Sequence, residues 1–152
     1  MDQTPRTRTF QELTELPCAC ANLRRASRAV TQLYSQEFRA TGLEPTQFTS
    51  LMALASWGRV NQGELAERLA IDSTTLTRTL APLRRRGWIR VQPGADRRER
   101  LFELTPAGRR KFLQARPHWE LAQRRLQNLF KSTEWTRLQQ GLVKLAEAAQ
   151  RA

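Results

Sequence analysis

The stretch that decides the fold runs from Val60 to Gly108, VNQGELAERLAIDSTTLTRTLAPLRRRGWIRVQPGADRRERLFELTPAG. Asn61 reads as a helix N-cap, with Glu64 three residues on as the partner of a capping box. The helix after it, Gln62–Ala70, buries Leu65, Ala66 and Leu69. Ile71 fills a turn, and Asp72 caps a second helix from Ser73 to Arg86 that Gly87 stops. Two β-type runs follow, Trp88–Gln92 and Arg100–Leu104. Their tip holds Pro93, Gly94, Ala95, Asp96, Arg97 and Arg98. Two short helices and then a basic hairpin make the pattern of a winged helix-turn-helix, an architecture that reads duplex DNA.

At 100° per residue the second helix divides cleanly. Leu76, Leu80 and Leu83 fall on one side and face a core. Thr74, Thr77, Arg78, Ala81 and Arg85 fall on the other. Small hydroxyls and an Arg near the N-terminal end suit a helix whose first turns enter the major groove. There Arg meets guanine O6/N7 and Thr methyls meet thymine methyls. Ser73, Thr74, Thr75, Thr77 and Arg78 are the candidate readers. An ordinary solvated face is the alternative reading, and the adjacent hairpin weighs against it. Pro82 lies inside this helix and removes one backbone hydrogen bond. The apolar spacing nevertheless continues to Leu83, so a tuned kink is expected and not a break.

Outside this stretch the pattern is helical. Apolar residues from Leu23 to Phe38 recur at helical spacing, giving a first helix from Pro17 to Ala40 that Thr41-Gly42 ends. Pro45 opens another that closes at Trp57-Gly58. Thr105 as N-cap and Pro106 at the first position start a long helix carrying Phe112, Ala115, Trp119, Ala122 and Leu126. Ser132 or Thr133 caps a last one, with Trp135, Leu138, Leu142, Leu145 and Ala149 on one face. The terminal helices carry more apolar surface than a small winged lobe can cover, which implies a second copy of the chain. The expected organisation is a single domain over 1–152, mainly α with a small β-hairpin wing. It has a polar arm (1–16), dimerisation helices (17–58 and 106–150) and a winged helix-turn-helix lobe (59–105).

Composition agrees. The 152 residues carry a formal charge of +12, and Arg59–Lys111 alone holds 13 basic and 6 acidic residues. Such an excess points to a polyanionic partner, double-stranded DNA. No apolar run approaches the roughly 20 residues of a membrane span, and the first residues lack the apolar core of a signal peptide. The expected compartment is the cytoplasm, where Cys18 and Cys20 stay reduced. A single histidine, His118, rules out a multi-His metal site within one chain. No Gly-rich phosphate loop, metal-ligand cluster or G-x-S-x-G motif is present, so no cofactor and no enzymatic activity are expected. Cys20 with His118 is the sole thiol pair to consider for catalysis, and nothing orients it.

At this point the chain resembles a MarR-family transcriptional regulator over about residues 18–150. The resemblance rests on Gln62–Leu69 (QGELAERL), Asp72–Arg78 (DSTTLTR), Leu83–Gly87 (LRRRG), Asp96–Arg98 (DRR) and Leu104–Gly108 (LTPAG), in this order and spacing. It implies a homodimer whose terminal helices form a base and whose two winged lobes reach successive major grooves of a pseudo-palindromic operator, most often as a repressor. Arg97 and Arg98 then enter the minor groove, where narrow A·T-rich segments concentrate negative potential. Asp96 orients Arg98 or merely braces the hairpin. Gln62, Arg84, Arg85 and Arg86 are candidate phosphate contacts, and Arg100 is one as well unless it is simply solvated. The same residues would also serve a non-specific architectural DNA-binding protein.

The resemblance also implies a sensor. Family members bind small aromatic or phenolic ligands between the dimerisation helices and the DNA-binding lobe and then lose DNA affinity. Here the first, second and fifth helices would line that pocket. Arg28, Trp57 and Trp119 are candidate walls for an aromatic carboxylate, although Trp at helical spacing also reads as core. The hydroperoxide-sensing branch of the family carries a reactive Cys early in the first helix. Counting back from Ala26–Ala29, Cys20 takes that place, with Cys18 beside it. A helix N-terminus and Arg24 both favour thiolate. The chain departs from that branch in having Arg24 where it has a tyrosine, and in having Tyr34 as its one tyrosine. Inert cysteine and thiol–metal binding are the other readings of this pair.

Overall fold

A computed structural model describes residues 18–96 and 99–151. Six α-helices and three strands follow one another as α1 (Ala19–Phe38), α2 (Pro45–Trp57), β1 (Val60–Asn61), α3 (Gln62–Arg68), α4 (Ser73–Arg85), β2 (Ile89–Pro93), β3 (Arg100–Leu104), α5 (Pro106–Gln127) and α6 (Ser132–Arg151). A 3₁₀ turn, Arg39–Thr41, extends α1 to Gly42, which closes it at φ 67°. The expected start of α1 at Pro17 lies outside the described residues, as does the polar arm.

The caps explain where the helices begin. The Asn61 side chain accepts the Glu64 N–H at 2.8 Å, Asp72 accepts the Thr75 N–H at 2.9 Å, and Thr105 accepts the Gly108 N–H at 3.0 Å. Each satisfies a donor that the first helical turn leaves without a partner. Two capping expectations need correction. Glu64 does not complete the box at Asn61, because its carboxylate pairs with Arg68 one turn on. The complete box is at α2, where Gln47 accepts from the Glu44 N–H at 3.1 Å. Neither Ser132 nor Thr133 precedes α6 as its expected N-cap, because both lie within the helix; the Glu134 carboxylate instead reaches back to the Lys131 N–H at 2.8 Å.

The sheet has three strands, not two, in the order β1-β3-β2 and antiparallel throughout. Ile89 faces Leu104 and Pro93 faces Arg100 across the hairpin, and Val60 faces Phe102 on the far side of β3. β2 is shifted by one residue from the expected Trp88–Gln92. Its ladder starts at Ile89, while the Trp88 carbonyl accepts the Thr105 N–H at 3.0 Å.

One core joins these elements. Phe38, Phe48, Leu51, Leu54, Val60, Leu65, Leu76, Leu80, Leu83, Ile89, Phe102 and Ala115 are all buried in it. Burying each large apolar side chain is worth roughly 1.5–3 kcal/mol. Phe48 is its centre, with Phe38 at 4.9 Å, Phe112 at 5.5 Å and Trp119 at 6.3 Å between ring centroids. Thus α2 packs on α4 and β3 as well as on α1 and α5. α4 continues through Pro82 and α5 through Pro117 without interruption. By contrast α6 contributes no buried residue, and its Leu138, Leu142, Val143 and Leu145 are exposed, as are Leu129 and Phe130 just before it. No described helix is long and apolar enough to cross a membrane.

Candidate nucleic-acid interface

The outward face of α4 is built by its own periodicity. Leu76, Leu80 and Leu83 are fully or almost fully buried, which turns Ser73, Thr74, Thr77 and Arg78 to solvent. The Asp72 cap fixes the first turn from both sides. Besides the backbone bond, its carboxylate accepts the Thr75 hydroxyl at 2.5 Å. The hydroxyl and backbone donors of Thr75 hold the Asp72 carboxyl below the ordinary carboxylate range. Thr75 is therefore occupied at the cap, and Thr79 in turn donates to its carbonyl.

A cavity of about 280 Å³ opens beside this face, between the start of α3, α4 and β3. Leu80, Ala81 and Phe102 form its floor, and Gln62, Thr77, Arg84, Arg85 and Arg100 line the rest. Three guanidinium groups around one concavity next to the exposed hydroxyls of α4 make a surface shaped for phosphate oxygens. At its edge the Gln62 amide donates to the Ser73 and Thr77 hydroxyls, 3.1 Å each.

Arg86 departs from the arginine cluster in which the sequence places it. α4 ends at Arg85, and Arg86 is its C-cap at φ −83°, ψ 0°. The side chain leaves the helical stripe and donates to the Gly42 carbonyl at 2.8 Å. It also lies 5.0 Å from the Trp88 ring centre, and Lys111 sits 5.0 Å from the same ring while donating to the Thr41 carbonyl at 2.5 Å. The two cations share one indole and cap the end of the 3₁₀ turn, a favourable place for positive charge. Neither Lys111 nor Trp88 was singled out from sequence.

The wing is anchored through its strands. Glu103 pairs with Arg90 at 2.6 Å across the hairpin and with Arg59 at 3.4 Å. The Arg90 hydrogen bond, followed by the charge of Arg59, lowers the Glu103 carboxyl below its usual range. Asn61 donates to Glu99 at 3.2 Å, tying the α3 cap to the hairpin. Glu99 also folds over Gly94, where an added Cβ would lie 2.1 Å from its carboxylate. Asp96 is exposed near the tip, while Arg97 and Arg98 lie outside the described residues, and with them the expected Asp96–Arg98 pair.

The expected sensor residues sit in separate settings. Trp57 is at the end of α2 beneath Arg68, 4.9 Å from the ring centre. Trp119 stacks with Phe48 at the edge of the core. Arg28 lines a shallow groove on α1 with Leu23, Arg24 and Ser27. Cys18 and Cys20 are both free and exposed at the start of α1. α1 is held to α5 by Tyr34 donating to Gln123 at 2.5 Å and by the Glu37–Arg125 pair.

These elements define a winged helix-turn-helix, with α3–α4 as the helix pair and β2–β3 as the wing. Comparison with known proteins names the family. The MarR family model matches residues 43–99. The structure of the Mycobacterium tuberculosis transcriptional regulator MosR in complex with DNA is 36% identical, with a TM-score of 0.81 over 88% of this chain and 97% of that one. Bordetella bronchiseptica BpsR, whose DNA binding is regulated by 6-hydroxynicotinic acid, is 26% identical, with a TM-score of 0.79 over 86% of this chain and 94% of that one. The transcriptional repressor NicR of Pseudomonas putida is 32% identical over 87 residues, 57% of this chain. The matched stretch spans 55% of NicR and 66% of a second curated regulator. The chain belongs to the MarR family of winged-helix transcriptional regulators.

Proposed function

We propose that the chain is a homodimeric transcriptional regulator that binds a pseudo-palindromic operator in the cytoplasm and releases it on meeting a signal. The observation that carries this reading is the exposed Ser73–Arg78 face of α4 set beside the cavity of Arg84, Arg85 and Arg100. Hydroxyls and Arg78 meet base edges in the major groove, the three arginines meet phosphates, and Arg97 and Arg98 of the wing reach the minor groove. Dimerisation is supported by α6, an amphipathic helix with no buried residue. An apolar face of that kind is covered by a partner copy in a stable protein. Repression is supported by likeness to NicR, and a small aromatic effector by likeness to BpsR.

The test uses duplexes selected from a random library by the full-length protein. A footprint on an inverted repeat, with strong preference over random DNA at stated salt, is expected. Equal affinity for every duplex makes the protein an architectural binder instead. Sedimentation at micromolar concentration should give twice the chain mass, and Leu142→Glu should shift it to monomer.

Oxidation at Cys20 is the second route of release, favoured by the exposure of both thiols. A Cys20 thiolate attacks the peroxide O–O bond, leaving a sulfenic acid and freeing the alcohol. Cumene hydroperoxide should then release the operator from wild type but not from Cys20→Ser. Equal release from both proteins would sink this route and leave the ligand route standing.

A further inference from the structure

We infer that Gln62 is a positioning residue that sets the hydrogen-bond polarity of the DNA-reading face, and is not a phosphate contact. This rests on the DNA-binding reading above. Gln62 is the first residue of α3, yet its amide nitrogen reaches across to α4 and lies 3.1 Å from both the Ser73 and Thr77 hydroxyl oxygens. A carboxamide has two N–H donors, so one Gln62 serves both hydroxyls at once.

The chemistry of Thr77 fixes the direction of these bonds. Its hydroxyl donates to the Ser73 carbonyl at 2.8 Å, so its single proton is already placed. The group facing it must donate, which puts the Gln62 NH₂ there and not the amide oxygen. Thr77 is left with a lone pair and no free proton. Toward DNA it can only accept, from cytosine N4 or adenine N6. Ser73 accepts from Gln62 and keeps its own proton. It can donate to guanine O6 or N7, adenine N7 or thymine O4. Two adjacent hydroxyls of the same chemical kind are thus made to ask different things of the base pairs they meet. Without Gln62 the Ser73 hydroxyl turns freely and can donate or accept, while Thr77 keeps its bond to the Ser73 carbonyl but loses the donor that occupies one of its lone pairs and orients the other.

The geometry also explains why Gln62 is poorly placed to hold a phosphate. Both of its N–H groups are used within the protein, and it stands at the edge of a cavity that Arg84, Arg85 and Arg100 already line. The cap of α3 is formed by Asn61 and not by Gln62, so substitution at 62 leaves the helix start intact.

The test compares wild type with Gln62→Met, which keeps length and loses the donors, and with Gln62→Asn, which keeps the donors and loses the reach. Affinity is measured by fluorescence anisotropy for the selected operator, for each single base-pair change in it, and for random DNA, at several salt concentrations. Both variants should lose discrimination of about 10-fold at the one or two base pairs that face Ser73 and Thr77. Random-DNA affinity, salt slope and melting temperature should stay at wild-type values. In the free wild-type protein, NOEs should join the Gln62 side-chain NH₂ to Ser73 and Thr77. The assignment is overturned if those NOEs are missing. It is also overturned if the variants discriminate as well as wild type, or if they lose affinity equally for all duplexes with a shallower salt slope. A wild type with no preference among duplexes would remove the specific-binding reading and this assignment with it; the other failures remove the assignment alone.

Discussion

Arg85 and Arg86 are neighbours in sequence and should behave as different residues in DNA binding. Arg85 is in the last turn of α4 and lines the basic cavity, whereas Arg86 has turned onto Gly42 and Trp88. Each phosphate contact contributes about 0.9 to the slope of log affinity against log salt. Arg85→Ala, present twice in a dimer, should therefore make that slope shallower by about 1.8. Between 50 and 200 mM salt this is a difference of roughly 12-fold in how steeply affinity falls. Arg86→Ala should leave the slope alone and weaken the fold. It removes a charged hydrogen bond of 2.8 Å and one cation over an indole, while Lys111 still lies over the same ring. The Arg86 side chain is solvent-exposed, so the loss lies toward the low end of such interactions, about 1–2 kcal/mol. For a chain of this size that is a fall in Tm of roughly 2–8 °C. Anisotropy titrations in a salt series and a thermal melt read the two effects separately. If Arg86→Ala lowers the slope as Arg85→Ala does and melts with wild type, the proposed division of the arginines is wrong.

Arg78→Ala should relax base preference at one position of each half-site, at a cost of about 1–3 kcal/mol for the preferred base, in the same anisotropy series. Gly108→Ala should be strongly destabilising, because an added Cβ would stand 1.8 Å from the Trp88 carbonyl oxygen and backbone must move. Overpacking of about 1–3 kcal/mol is expected, seen as a lower urea midpoint. The Asp72 carboxyl is depressed in the folded chain by its bonds to Thr75. Its stabilising contribution is thus complete above the unfolded carboxylate range near pH 4 and disappears as pH falls through the lower folded value. Asp72→Asn should remove this part of the acid sensitivity in denaturation curves taken from pH 6 to pH 3.

The residues that proved readable share one property: their partners are close in sequence. Asn61, Asp72 and Thr105 were expected as caps from their positions before periodic apolar runs, and each makes its bond three residues on. Leu76, Leu80 and Leu83 were expected in the core from spacing alone, and they are there. Strand β1 was not legible, because two residues carry no alternation. Val60 and Asn61 become a strand only when the distant β3 arrives, with Val60 opposite Phe102 and Asn61 opposite Leu101. The same holds for the site. Three consecutive arginines read as one phosphate clamp, and nothing local says that the helix stops before the third. Gln62 read as a surface donor because its acceptors lie 11 and 15 residues further on.

Other long-range contacts link the first helix to the winged lobe. The end of α1 is fastened to α5 by Tyr34–Gln123 and Glu37–Arg125, and the turn that follows it is fastened to the winged lobe by Arg86 and Lys111. Burial raises the Tyr34 pKa, so its hydroxyl keeps its proton and remains a donor at neutral pH. A rigid displacement of α1 must therefore move Gly42 and Thr41. Through Arg86 it reaches the C-cap of α4, while Lys111 and Trp88 transmit it to the first turns of α5 and the root of the wing. The exposed face at the other end of α4, proposed above to read DNA, is held separately by Asp72 and Gln62. A signal arriving along α1 is consequently expected to rotate the face as a unit, changing its fit to the groove while its hydrogen-bond pattern survives.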